Sequence, residues 1–91
     1  MINAIILINA ERTKINSVAE QLVSLPGITE VYSVSGRFDL AAVIKLPHAD
    51  DLAELITEKV TKVEGITKNE SMVAFKTLSK SDMASMFELG D

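Results

Sequence analysis

No cysteine occurs in the 91 residues. That excludes disulfides and thiol chemistry and fits a cytoplasmic setting. Tryptophan is absent too, and there is one tyrosine and one histidine. The histidine, His48, follows Pro47 at a loop-to-helix joint. A catalytic histidine needs a partner to orient it, so the plain expectation here is a solvated side chain. No His, Asp or Glu set has metal-ligand spacing, and Asp50-Asp51 reads as acids at a helix start rather than a dyad. The four glycines are scattered, as Gly27, Gly36, Gly65 and Gly90, so there is no glycine-rich phosphate loop. Serines have no base beside them. These absences predict no catalytic residue, no metal and no cofactor. Lysine and arginine form no cluster, net charge is −4 and the pI is about 4.9. Binding to nucleic acid rests on neutralising phosphates, so direct binding is not expected. Long apolar runs are missing as well. The amino terminus has no basic start or small-residue cleavage site, and its apolar run, residues 4–8, is far too short to cross a bilayer.

What the chain does have is grease: 47% hydrophobic residues and a mean hydropathy of +0.23. A domain this small buries only a modest fraction of its surface, so high apolar content points to surface buried between chains. Residues 2–9 read as a strand, with Ile2, Ala4, Ile6 and Ile8 on one face and Ile5 and Leu7 on the other. Thr13 is the expected cap of a first helix, whose stripe is Ile15, Val18, Ala19, Leu22 and Val23. Pro26-Gly27 stops it. Strands over residues 29–35 and 40–46 come next, joined by a hairpin loop at 36–39. Asp50 or Asp51 caps a second helix with the stripe Leu52, Leu55, Ile56, Val60 and Val63, ended by Gly65. A fourth strand is expected over 71–78. "PGITEVYSV" and "EGITKNESM" share Gly-Ile-Thr at equivalent joints, a hint of two halves. The order β-α-β-β-α-β predicts an α+β, ferredoxin-like sandwich over residues 1–78: a four-stranded antiparallel sheet with two helices on one face. Residues 79–91 predict a short terminal helix or arm, with Met83, Met86 and Phe87 at helical spacing.

Right-handed crossovers put both helices on one side of the sheet. The other side then carries several large aliphatics, a patch that soluble monomers rarely expose. Face-to-face pairing of two sheets in a homodimer is the expectation. The alternative is a carboxy-terminal segment folded back over that face.

The stretch "SGRFD" is more than a plain turn needs. Gly36 allows a positive φ, and Asp39 can accept hydrogen bonds from the loop's own amides. Phe38 at a loop tip needs something to pack on, and Arg37 offers a fork for a carboxylate. Backbone amides, an aromatic and a guanidinium together suit a small zwitterion. The pattern V-x-x-V-S-G-x-F-D-L-x-x-x-I, carried here by Val31, Val34, Gly36, Phe38, Asp39 and Leu40, resembles the signature of the Lrp/AsnC regulators in their module for regulation of amino-acid metabolism, the RAM domain. "VEGITKNESMVAF" resembles that family's closing stretch. The resemblance implies a dimeric α/β-barrel type of assembly, octamer-like rings of dimers, and an amino-acid effector held at the seam between dimers. Carried over position by position, it assigns ligand binding to Gly36, Arg37, Phe38, Asp39, Asn69 and Ser71. Family regulators carry a helix-turn-helix domain ahead of this module; the first strand begins at Ile2, so a stand-alone module that does not bind DNA itself is expected.

Two other functions compete with an effector-binding module. One is a ligand-independent partner that co-assembles with full-length Lrp/AsnC regulators. The other is a small dimeric ferredoxin-like enzyme, such as a cofactor-free monooxygenase, for which Asn3, Asn9, Tyr32 and His48 are the only polar candidates; fold alone does not fix chemistry.

Overall fold

The structure, a computed structural model, describes residues 1–80. Strand β1 (Ile2–Ala10) leads through a 3-10 turn at Arg12–Lys14 into helix α1 (Ile15–Val23). Strands β2 (Ile28–Ser33) and β3 (Leu40–Leu46) form a hairpin. Helix α2 (Ala49–Glu54) continues as a π turn at Leu55–Lys59 and a 3-10 turn at Val60–Lys62, and strand β4 (Ile66–Val73) completes the fold. The sheet order is β2-β3-β1-β4, with every neighbouring pair antiparallel. This is the expected ferredoxin-like topology.

The alternation in β1 decides the core. Ala4, Ile6 and Ile8 are buried, and they stand opposite Ile44, Ala42 and Leu40 of β3, also buried. Directly opposed residues share a face, so this one surface packs against the helices. Val18 and Leu22 of α1, with Leu52, Leu55, Val60 and Val63 from the second helical segment, close the core over it. The second segment shows why its sequence stripe steps from Leu55 to Val60. A π turn takes in an extra residue per turn, and that extra residue brings Val60, rather than Lys59, back to the core side. Gly27, at φ +93°, sits against Leu46, and a Cβ there would collide with the leucine side chain. Its carbonyl also accepts a hydrogen bond from the Lys45 amide at 2.8 Å, which ties the end of the α1–β2 connection to β3.

Several sequence expectations need correction. The last strand spans Ile66–Val73, not residues 71–78. Its pairing partner sets the limit: Ile66 lies opposite Ala10 and Val73 opposite Ala4, so beyond Ala74, whose amide bonds the Asn3 carbonyl, little of β1 is left to pair with. The apolar run 72–75 drew the expectation too far along the chain. Strand β2 likewise ends at Ser33, because the chain turns into the loop from Val34 onward. Thr13 lies inside the 3-10 turn instead of capping a helix. Asp50 and Asp51 fall in the first turn of α2, with His48 at the cap position and no side-chain cap bond; the acids act on the helix's positive end. Val23 is half exposed at the end of α1. The expectation of a carboxy-terminal helix with Met83, Met86 and Phe87 lies outside the described residues.

The opposite sheet face carries Asn3, Ile5, Leu7 and Asn9 from β1, Ala41, Val43 and Lys45 from β3, and Lys68, Glu70 and Met72 from β4. Ile5 is 40% and Met72 46% exposed, while Leu7, Ala41 and Val43 are half-buried by their neighbours alone. Among the described residues no helix or strand covers this face.

Candidate ligand-binding site

The loop 34–39 is held at both ends by backbone bonds. The Val34 amide donates to the Asp39 carbonyl at 3.0 Å, and the Asp39 amide donates to the Ile8 carbonyl at 2.9 Å. Gly36 lies between them at φ +110°, with no other group near where a Cβ would stand. Its role is therefore conformational: the turn needs a left-handed residue, not a small one. The Asp39 carboxylate does not brace its own loop, as the sequence suggested. It reaches β1 and accepts a hydrogen bond from the Ala10 amide at 3.0 Å. Ala10 is where the β1–β4 register slips by one residue, so the carboxylate satisfies a strand-end amide and staples the hairpin to the central strand. Removing it by Asp39→Ala is expected to lower stability by about 1.5 kcal/mol, the smaller end of the range for a charge-assisted bond. Asp39→Asn, which keeps an acceptor, should recover part of that loss in urea unfolding.

Phe38 and Arg37 border a cavity of about 290 Å³, whose other walls are Asn9, Lys68 and Glu70. That volume is at the small end of ligand pockets, which run from about 300 Å³ upward. The Lys68 ammonium stands 5.9 Å from the centre of the Phe38 ring, within cation–π reach. Among the described residues Arg37 pairs with no carboxylate and is exposed. The cavity thus sets two cations and an aromatic beside one carboxylate and one amide, at the end of the open face where β1 and β4 meet the loop.

The six residues expected to bind ligand do not all converge within one chain. Arg37 and Phe38 line the cavity, Gly36 shapes it from the turn, and Asp39 is committed to Ala10. Asn69 and Ser71 lie opposite Ile8 and Ile6, on the helix side of the sheet. Asn69 there borders a separate cavity of about 200 Å³ with Val60, Thr61, Val63, Ile66, Thr67 and Lys68. Lys68 and Glu70, which the sequence reading passed over, take the places facing the loop. Alternation within β4 would have found them once its start was fixed at Ile66, because Lys68 then falls opposite Asn9 and Glu70 opposite Leu7.

On the neighbouring edge strand, Tyr32 donates a hydrogen bond to the Glu30 carboxylate. That bond, then the carboxylate's charge, then slight desolvation, raise the phenol pKa above its ordinary 10.0. Tyr32 is the only tyrosine and there is no tryptophan, so its ionisation can be followed by ultraviolet absorbance without interference. It is expected to ionise above pH 10, and Glu30→Gln to lower the midpoint. Because the folded value is the raised one, the stability linked to this proton is complete below the unfolded value and disappears as pH rises through the folded value.

The fold and the loop together define a ferredoxin-like module with a glycine-aromatic-acid hairpin beside an open sheet face. The sequence profile of the "Lrp/AsnC ligand binding domain" matches residues 3–84, and the chain belongs to that family. It is 30% identical over 63 residues to the uncharacterized HTH-type transcriptional regulator PF0250 of Pyrococcus furiosus, covering 69% of this chain and 42% of the relative. The chain thus spans less than half the length of such curated relatives. Another such relative, LrpA of Pyrococcus abyssi, is likewise an HTH-type transcriptional regulator, 38% identical over 55 residues, covering 60% of this chain and 39% of the relative. The crystal structure of TTHA0845 from Thermus thermophilus superposes with a TM-score of 0.82 at 31% identity, covering 88% of this chain and all of that one (100%). The transcriptional regulator NMB0573 from Neisseria meningitidis, solved as its L-Met complex, shares the fold at a TM-score of 0.76 and 11% identity, covering 86% of this chain and 52% of its own. No helix among the described residues is long and apolar enough to cross a membrane.

Proposed function

We propose that the chain is an amino-acid effector-binding and oligomerisation module of the Lrp/AsnC type, which acts in the cytoplasm and does not itself bind DNA. The observation that carries this reading is the cavity where Arg37 and Lys68 stand beside Glu70, Asn9 and Phe38. A free amino acid is a zwitterion. Its carboxylate suits the Arg37 fork with Lys68 adding charge, and its ammonium suits Glu70. Asn9 supplies a further polar contact and Phe38 an apolar wall. The L-methionine complex of NMB0573, a protein with the same fold, supports an amino acid as the ligand class. The net charge of −4 supports the absence of DNA binding by this module.

In this reading two copies pair through their open sheet faces, and dimers join into octamer-like rings with the loop 34–39 at the seams. A second dimer packed there brings further groups to a cavity that is open within one chain, including the helix-side residues Asn69 and Ser71. The ligand changes assembly only if it binds one arrangement more tightly than another. Calorimetric titration with the twenty amino acids, with light scattering on each, tests this. At least one should give heat and change the particle mass. Arg37→Ala and Glu70→Gln should each weaken that binding by roughly tenfold or more, the size of one lost charge-assisted contact. Absence of heat from all of them would defeat the effector reading.

A further inference from the structure

The end of the open face farthest from the loop holds a larger hollow, about 350 Å³, with a floor of Ile5, Val43 and Met72 and with Asn3, Lys45 and Thr77 around it. Next to it, the chain leaves β4 carrying Phe75, whose side chain is fully exposed. A phenyl ring left entirely in water forgoes the favourable burial of its apolar surface. Among the described residues no other large hydrophobic side chain is left so bare.

The arm that carries Phe75 is anchored on both sides of it. The Ala74 amide donates to the Asn3 carbonyl at 2.8 Å, and the Asn3 side-chain amide contacts the Thr77 hydroxyl at 3.4 Å. Ala74 and Thr77 already form part of the hollow's own wall, while Phe75 between them does not line it and is fully exposed. Within one chain the hollow is therefore left unfilled by that chain's own Phe75. The hollow nonetheless fits such a ring: its floor is aliphatic, its volume exceeds a phenyl group's, and Met72 offers a thioether for an aromatic edge. Hollow and ring lie at the same end of the sheet. A twofold that pairs two open faces there gives each ring a hollow on the other copy, an isologous exchange in which both contacts form or neither does.

We propose that Phe75 of one copy fills the hollow formed by Ile5, Val43 and Met72 of a second copy and anchors the dimer. This rests on the face-to-face pairing proposed above and adds to it the residue that carries much of the binding. A buried aromatic in a fitted pocket is the usual form of an interface hot spot.

The chain has no tryptophan, so Phe75→Trp places a single reporter at the anchor. Its emission is expected to be blue-shifted and protected from iodide at micromolar concentration, and to turn to that of an exposed indole on dilution, in step with the loss of dimer mass. Phe75→Ala is expected to weaken dimerisation about thirtyfold in sedimentation equilibrium, a typical hot-spot loss. An indole that stays exposed in a particle of dimer mass overturns this inference while leaving face pairing intact. So does an indole already buried in the monomer, or a Phe75→Ala variant that dimerises as the parent does. A chain that is monomeric throughout removes both.

Discussion

Val43→Asp is expected to leave the fold intact and separate the assembly into single chains. Val43 lies on β3 at the middle of the open face, opposite Ile5 of β1 and Glu30 of β2. It is half-buried by its own chain, so an aspartate there remains hydrated in the monomer. In a face-to-face pair the same carboxylate is enclosed by the apolar groups of the second copy, and the twofold places two such charges in one interface. Each buried unpaired charge costs about 3–5 kcal/mol. Two of them weaken association by at least roughly four orders of magnitude. Sedimentation velocity should report a monomer at concentrations where the parent is assembled, with an unchanged far-ultraviolet circular dichroism spectrum. A Val43→Asp chain that keeps its assembled mass would place the interface elsewhere.

The second large effect belongs to the other side of the sheet. Leu22 of α1 is fully buried, packed within the cluster that includes Ile28, Val18 and Leu46. Leu22→Ala should cost about 2–5 kcal/mol, from lost burial plus the cavity left behind. A domain of this size has only about 5–15 kcal/mol to lose, so the midpoint of urea unfolding should fall sharply. The comparison has to be made at one chain concentration, because association adds to the apparent stability of both proteins. Leu22→Met, which conserves volume, should cost under about 1.5 kcal/mol. The pair separates the two faces: Leu22→Ala changes stability far more than assembly, and Val43→Asp does the reverse.

Most of the architecture was legible in the residues because the strands differ in kind. In β1 and β3 the apolar residues run nearly unbroken, and their alternation assigned Ala4, Ile6 and Ile8 to a single face without any contact information. The helical stripes were nearly as plain: Leu52 and Leu55, and Val60 and Val63, stand three apart, and the π turn accounts for the longer step between the two pairs. Strand β4 failed for a physical reason. It is an edge strand with little burial on either face, so Thr67, Lys68, Asn69, Glu70 and Ser71 carry no apolar period to read. Only its pairing with β1 fixes where it starts and which residues face which way.

The same gap governed the candidate site. Gly36 and Asp39 were legible as turn residues, and Arg37 and Phe38 between them marked the loop as more than a turn. Yet the acid's partner, the Ala10 amide, is 29 positions away in the chain and could not be named from local turn chemistry. Lys68 and Glu70 were missed because a charged pair on a polar strand looks like ordinary solvated surface until the register sets it beside Arg37 and Phe38. Asn69 and Ser71 were reached through family resemblance, and the pleat sends them to the opposite side of the sheet.

The effector cavity, the phenylalanine anchor and the module's role in assembly all assume that the apolar sheet face is hidden against a second copy. Sedimentation equilibrium of the unmodified chain at micromolar concentration tests this most directly. The expected result is a particle of at least two 9.9 kDa chains. A single species of 9.9 kDa over that whole range would contradict it.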